Sequence, residues 1–288
     1  MSIVVTGATG LLGNLVIQHL LKKVPANQII ASVRNIEKAS ELEKVGVEVR
    51  YGDYMDLESM KKSFDGASKV LFISSPDVDD TLRVRQHATV VQAARDAGVK
   101  QIAYTGYAFA EESKLPLALV HMATEYAIRT TGIPYTFLRN ALYTEVFVNP
   151  ALGGAIESGE LITNTGTGVL NAVNRNDLAF AAATALTEEG HENKTYNLVH
   201  PEPWSFDELA QVLSDFSGKH VVHRTVSYDE TKDYLVNIGL SEPIAELSAV
   251  IYHAVSEGET SKTTNDLQNL IGTPTPLKES VKQALQAE

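Results

Sequence analysis

The chain contains no cysteine. That removes disulfides, thiolate metal ligands and cysteine nucleophiles from its chemistry together. It has no run of about 18 apolar residues, the length a membrane-spanning helix needs, so no membrane partner is expected. Lys/Arg-rich clusters are also missing, and the net charge is −12. An acidic chain repels polyphosphate, so nucleic acid is not an expected partner. A small anion stays open, because free backbone N–H groups at a helix N-terminus bind one without net positive charge. The chain enters Ile3-Val4-Val5 directly, with no basic stretch and cleavable apolar segment before it, and the expected location is cytoplasmic. No metal is expected. His87, His121, His191 and His200 lack ligand spacing, and His220 and His223, three apart in an expected strand, point to opposite faces. No GxSxG elbow is present. Glu111-Glu112 and Glu188-Glu189 read as solvated pairs.

What is present is an alternation. Short β-branched, apolar runs fall near 2–6, 28–33, 47–51, 69–74, 100–105 and 134–139, and helical patterns near 11–23, 36–45, 56–64, 79–97 and 118–131. The strand runs show little polar alternation, as strands buried on both faces of a parallel sheet do. Gly46, Gly98 and Gly132 can end the helices before three of those strands. The expected fold is α/β, a doubly wound parallel-sheet Rossmann fold. After about residue 145 the rhythm breaks into a loop-rich stretch with Gly153, Gly154, Gly159, Gly166 and Gly168. A helix near 175–188 and a strand near 194–199 return to the sheet. The remainder is mostly helical, near 205–217, 228–237, 241–257, 263–271 and 276–286, with a strand near 220–226. The division expected is a dinucleotide-binding domain over 1–150, joined again by 174–200, and a smaller substrate-binding region over 151–173 and 201–288.

The strongest local signal is Thr6-Gly7-Ala8-Thr9-Gly10-Leu11-Leu12-Gly13, directly between a strand and a helix. Its spacing is GxxGxxG. Gly7 permits a tight turn, Gly10 lets the backbone approach a pyrophosphate, and Gly13 lets the helix pack close to the sheet. The helix N-terminus then faces the phosphates with free N–H groups and a favourable dipole. The plainer possibility is a glycine-rich turn without a ligand. At the end of the second strand, where NAD-binding versions carry an acidic residue for the ribose 2′-OH, this chain has Arg34. Its guanidinium offers a fork of donors to a 2′-phosphate, with Lys38 one turn on. That points to NADP(H) as cofactor; a solvated Arg34 is the alternative. Asp53 either approaches the adenine or caps the next turn.

These residues, with Gly52-Asp53-Tyr54, Phe72-Ile73-Ser74-Ser75-Pro76 and Gly132-Ile133-Pro134-Tyr135-Thr136-Phe137-Leu138-Arg139, resemble the NmrA-like group of atypical short-chain dehydrogenase/reductases. Tyr104–Ser113, Ala123–Arg129 and Arg139–Thr144 narrow the resemblance to its reductases of triphenylmethane dyes and quinones. The resemblance implies NADPH-dependent hydride transfer to a small aromatic or quinoid acceptor, and a homodimer. It also places Ser74, Ser75 and Asn140 with Gly7, Ala8, Thr9, Gly10, Leu11, Leu12, Gly13, Arg34 and Asp53 around the cofactor.

Typical members use a Tyr and a Lys four residues apart, the Lys lowering the Tyr pKa. Here Tyr104 and Tyr107 have no Lys at that spacing, and Tyr126 is followed by Thr130. By its offset from Gly132, His121 takes the position of a Lys in the related isoflavone-reductase-like enzymes. It is a candidate weak acid or ribose contact, or else a polar residue facing solvent. Tyr107 is the other catalytic candidate. A triarylmethane carbocation needs no concerted proton, and a quinone's oxyanion is stabilised by conjugation, so both tolerate a site without an acid. Ser75, Tyr107, Phe109, Asn140, Tyr143, Phe147 and Trp204 are the expected lining of an acceptor cavity beyond the strands' C-terminal ends. The rival reading is a non-catalytic NADP(H) sensor. A sugar-nucleotide epimerase fits less well, since it wants the missing Tyr-Lys pair.

Overall fold

Every residue of the strands Ile3–Thr6, Ile29–Val33 and Gln101–Tyr107 is buried, as central strands of a covered parallel sheet must be. The computed structural model describes residues 2–286. Residues 1 and 287–288 of the expected regions lie outside it. In chain order the first elements are β1 (Ile3–Thr6), α1 (Leu11–Leu20), β2 (Ile29–Val33), α2 (Ser40–Lys44), β3 (Glu48–Tyr51), α3 (Leu57–Ser63), β4 (Lys69–Phe72), α4 (Asp80–Asp96), β5 (Gln101–Tyr107), α5 (Leu117–Thr130) and β6 (Tyr135–Asn140). Then come α6 (Thr144–Phe147), α7 (Leu152–Ser158), β7 (Glu160–Thr163), β8 (Val169–Leu170), α8 (Arg175–Thr187), β9 (Lys194–Leu198), β10 (Trp204–Ser205) and α9 (Phe206–Ser217). The last are β11 (Val222–Thr225), α10 (Tyr228–Asn237), α11 (Glu242–Ser256), α12 (Asp266–Ile271) and α13 (Leu277–Gln286).

The seven-stranded sheet runs β3-β2-β1-β4-β5-β6-β9, and all its pairings are parallel. This is the doubly wound Rossmann fold. The chain builds outward from β1 to β3, then returns to place β4 on the other side of β1. That reversal opens a crevice at the C-terminal ends of β1 and β4. One face of the sheet packs Val4, Phe72, Tyr104 and Phe137 into an apolar core with Met60, Phe64 and Ile128. Helix starts are fixed locally. Asp56 caps α3 by accepting the N–H groups of Glu58 and Ser59 at 3.0 and 3.2 Å, and Asp79 does the same for α4, as acceptors at N-cap positions do.

The chain forms two compact units: Met1–Asn140 with Arg175–Leu198 and Asp266–Gly272, and Ala141–Asn174 with Val199–Asn265 and Thr273–Glu288. Residues 141–150 thus belong with the second unit and 266–272 with the first, where the Asp266 carboxylate accepts the Asn197 N–H at 2.8 Å. The second unit is cored by Phe147, Trp204, Phe206, Leu209 and Val255.

Three local expectations are corrected. The helix expected over 36–45 is a 3-10 turn at Glu37–Ala39 followed by the five-residue α2. The stretch expected as loop after 145 contains α6, α7, β7 and β8. There β7 pairs in parallel with β11, and β8 in antiparallel with β10. Two-residue strands and a helix carrying adjacent glycines, Gly153 and Gly154, are too short and irregular to leave a periodic signal. The strand expected over 220–226 starts at Val222, so His220 precedes it.

Candidate functional site

The turn after β1 needs glycine for steric reasons visible atom by atom. Gly7 has φ +59°, the left-handed region that favours glycine. A Cβ on Gly13 would lie 2.3 Å from the Gly7 carbonyl oxygen and 2.9 Å from the Ala8 Cα. One on Gly10 would lie 3.1 Å from the same oxygen. Gly13 therefore lets α1 close onto the loop's own backbone. Gly10 is the N-cap of α1 and contributes no side-chain cap, and the first turn has no acidic residue. The exposed turn Gly7, Thr9, Gly10 and Leu11 leads into an uncapped helix N-terminus, with Ala8, Leu12 and Gly13 buried beneath. This cradle suits a phosphate group.

Arg34 follows β2 directly and is exposed, as are Asn35 and Lys38. Its charge reaches the Tyr54 phenol, whose pKa burial nevertheless pushes up. Asp53 Oδ1 accepts the Met55 N–H at 2.9 Å, so the turn-capping alternative describes its geometry. Sequence reading passed over Tyr54. Its hydroxyl lies 2.5 Å from Thr6 Oγ1 and donates to the Ile73 carbonyl at 2.7 Å, joining the turn after β1 to the one after β4.

That second turn, Ile73-Ser74-Ser75, is held by side chains. Thr6 Oγ1 accepts the Ile73 N–H and Thr105 Oγ1 the Ser74 N–H, both at 3.0 Å. His87 Nε2 accepts the Ser75 N–H, also at 3.0 Å. Ser74 Oγ accepts from Arg83 Nη2 at 3.1 Å, and Ser75 Oγ from the Asp77 N–H at 3.2 Å. A backbone N–H can only donate, so His87 Nε2 is unprotonated. Nδ1 then carries the proton and donates to Thr124 Oγ1 at 2.7 Å, whose own hydroxyl donates to the Val120 carbonyl. Burial, with Arg83 nearby, lowers the His87 pKa to about 3.

His121 is 7% exposed, which overturns the solvent-facing alternative. Its Nδ1 lies 2.8 Å from the Tyr104 hydroxyl. Burial first, then Arg83 and His87, push its pKa to about 3, so it is neutral at physiological pH and supplies no imidazolium acid. The Tyr104 phenol is held above its ordinary range by burial. Tyr107 is buried with its ring near-parallel to His121, centroids 6.5 Å apart. Asn140 ends β6, buried, and its carbonyl accepts the Ala108 N–H. Phe109 adopts φ 52°, an uncommon conformation for a bulky residue, with its N–H given to Asn197 Oδ1 at 2.9 Å. Beside it, Arg139 makes two 2.6 Å hydrogen bonds to Glu111 and two more, at 2.8 and 2.7 Å, to the buried Glu125. Burial opposes the charge of Glu111, but the Arg139 hydrogen bonds win and lower its pKa. Glu111 is exposed, as expected of a solvated acid, and is also ion-paired to Arg139; Glu188, likewise exposed, pairs with Lys23 at 3.0 Å.

In the second unit Phe147 and Trp204 are core rings, each 6% exposed and packed edge-on with centroids 6.3 Å apart. Tyr143 is half-buried. A Thr163–His223–Asp207 relay, with 2.7 and 2.9 Å links, has the spacing of a nucleophilic triad. Thr163 is 1% exposed, so no substrate reaches its hydroxyl and the relay ties β7 to β11 and α9. Among the described residues no group of His, Asp and Glu could hold a metal, and no helix is long and apolar enough to cross a membrane.

The reversal of strand order at β1/β4, the glycine cradle and the arginine after β2 define a Rossmann-type α/β protein. The chain belongs to the NmrA-like family, whose model matches residues 1–279. The structure of Citrobacter sp. triphenylmethane reductase complexed with NADP(H) is 69% identical, with a TM-score of 0.97 over 99% of this chain and 100% of that one. Quinone oxidoreductase 2 of Escherichia coli (strain K12) is 41% identical over 97% of both chains. The structure of NADPH-dependent quinone oxidoreductase QOR2 from Escherichia coli, complexed with NADPH, is 40% identical, with a TM-score of 0.93 over 98% and 99%.

Proposed function

We propose that this chain is an NADPH-dependent reductase that delivers hydride to a planar, electron-poor acceptor, a quinone or a cationic triphenylmethane dye. The observation that carries the reading is the pairing of an uncapped α1 N-terminus behind Gly7–Gly13 with an exposed Arg34. The cradle fits a pyrophosphate and the arginine fork fits a 2′-phosphate. The two relatives crystallised with NADP(H) or NADPH support the same cofactor.

Bound NADPH supplies the hydride. The residues of this chain bind and orient it. The loop amides and the α1 dipole take the pyrophosphate, Arg34 takes the 2′-phosphate, and Ser74, Ser75 and Asn140 border the site at the strand ends. The buried His87 and His121 contribute no imidazolium acid at neutral pH. Both histidines are driven neutral by burial, and the Tyr54 and Tyr104 phenols stay protonated. That environment favours acceptors that take hydride without a concerted proton. A dye cation is quenched at its central carbon, and a quinol anion takes its proton from water afterwards. Positioning then carries most of the catalysis.

The test is purified protein with NADPH and malachite green, and in parallel with a benzoquinone, following acceptor and nicotinamide absorbance together. Coupled loss of dye colour and NADPH supports dye reduction, and NADPH oxidation with quinone alone narrows the acceptor to quinones. If NADPH binds but neither acceptor is reduced, the reductase reading falls and a cofactor sensor takes its place.

A further inference from the structure

The turn after β4 is unusual in how its backbone is satisfied. Three successive N–H groups, on Ile73, Ser74 and Ser75, each donate to a side chain from a different element: Thr6 of β1, Thr105 of β5 and His87 of α4. Buried backbone N–H groups must find a partner in backbone, side chains or ordered water. Here they point inward, and the turn becomes a wall of fixed shape. It borders the glycine cradle directly, since a Cβ on Gly7 would lie 3.8 Å from the Ile73 Cβ. Of the three anchors, His87 alone comes from a helix, Thr6 and Thr105 lying in strands. It is 1% exposed, its ring packs edge-on against Phe72, and its Nδ1 is fixed by Thr124.

We propose that His87 is a positioning residue for the dinucleotide: its Nε2, by accepting the Ser75 N–H, holds the 73–75 turn in the shape that the cofactor packs against. The proposal rests on the function proposed above. His87 touches no cofactor in this account and acts only through the turn. Remove the acceptor, and a buried N–H is left unpaired. The turn then reorients to find water, and the wall facing the cradle moves.

Three substitutions separate this from a general packing role. His87→Gln keeps an acceptor near the Nε2 position. His87→Asn keeps polar atoms near Nδ1 but is too short to reach Ser75. His87→Leu removes both. The readouts are the Kd for NADPH by titration of its fluorescence on the full chain, and the thermal midpoint without cofactor. The wild type is expected to bind. His87→Asn and His87→Leu should weaken Kd about tenfold, His87→Gln should stay within about threefold of wild type, and Asn, which leaves the N–H unpaired, should lose more thermal stability than Gln. Equal Kd for Gln and Asn, or a His87→Leu variant that binds as tightly as the wild type, overturns the proposal. A wild type that binds no NADPH overturns the proposed function itself, and is distinguished because no variant is needed to see it.

Discussion

The two turns at the centre of the sheet solve opposite problems. The turn after β1 is exposed, glycine-rich and leads into a helix whose N-terminus has no side-chain cap. The turn after β4 has its successive N–H groups filled by Thr6, Thr105 and His87. One ends in a helix N-terminus without a side-chain cap, and the other uses its donors to become rigid. A phosphate site needs available N–H groups, while a surface that fixes an extended ligand needs a backbone that does not respond to it. The difference explains why the first turn requires particular backbone conformations and the second requires particular side chains.

The largest expected effect breaks the first turn. Gly13→Ala places a methyl 2.3 Å from the Gly7 carbonyl oxygen. That neighbour is backbone and cannot swing away, so α1 must lift from the loop. NADPH affinity should fall at least about 100-fold, as charge-assisted contacts at the helix N-terminus are lost together. A calorimetric titration checks it, and an unchanged Kd would mean that the cradle is not the phosphate site. Arg34→Ala comes next. Losing a charge-assisted fork costs a factor of about 10 to 100 for NADPH and leaves NADH nearly unaffected. The ratio of the two Kd values is the measurement, and equal losses for both cofactors would place Arg34 elsewhere on the ligand.

The second turn is probed by pH. His87 and His121 have pKa values lowered to about 3 by burial, against an ordinary value near 6.5. Between those values the unfolded chain binds protons that the folded chain does not. Stability is therefore fully present above about pH 6.5 and is lost as pH falls through the window toward 3. Each histidine contributes up to about 1.4 kcal/mol per pH unit there. Urea unfolding at pH 7 and pH 5 should show the loss, and His87→Gln should show a shallower one. A wild-type stability that is flat over that range would contradict the buried, neutral imidazoles.

How much of this was legible in the sequence follows from range. Ile3-Val4-Val5 and Ile29–Val33 announce covered strands because burial on both faces leaves no polar alternation. The Gly7–Gly13 spacing is legible because a steric demand on one short loop writes itself into adjacent residues. Arg34 is legible by position after β2. His87 is not, because its role is set by a backbone N–H twelve residues away and by a tautomer. The Arg139 clamp on Glu111 and Glu125 spans 28 and 14 residues, and nothing local marks the exposed Glu111 as its partner. Phe147 and Trp204 read as aromatics at strand ends, but their burial depends on Phe206 and Tyr252, which only the folded second unit brings to them.

The smallest effect tests the comparison most finely. Gly7 and Gly13 belong to one loop, yet they are needed for different reasons. A Cβ on Gly7 meets only the Ile73 side chain, at 3.8 and 3.9 Å, which is ordinary contact. Its cost is the left-handed backbone alone, φ +59°, about 1 kcal/mol for alanine. Gly7→Ala should therefore lower the thermal midpoint by about 2–4 °C and weaken NADPH severalfold, far less than Gly13→Ala. Gly7→Asn, whose side chain tolerates that backbone region, should recover part of the midpoint. Its side chain would meet the Ile73 wall, so affinity should recover less than stability does. If both recover together, the Gly7 requirement is purely conformational and the wall after β4 does not constrain that side of the cradle.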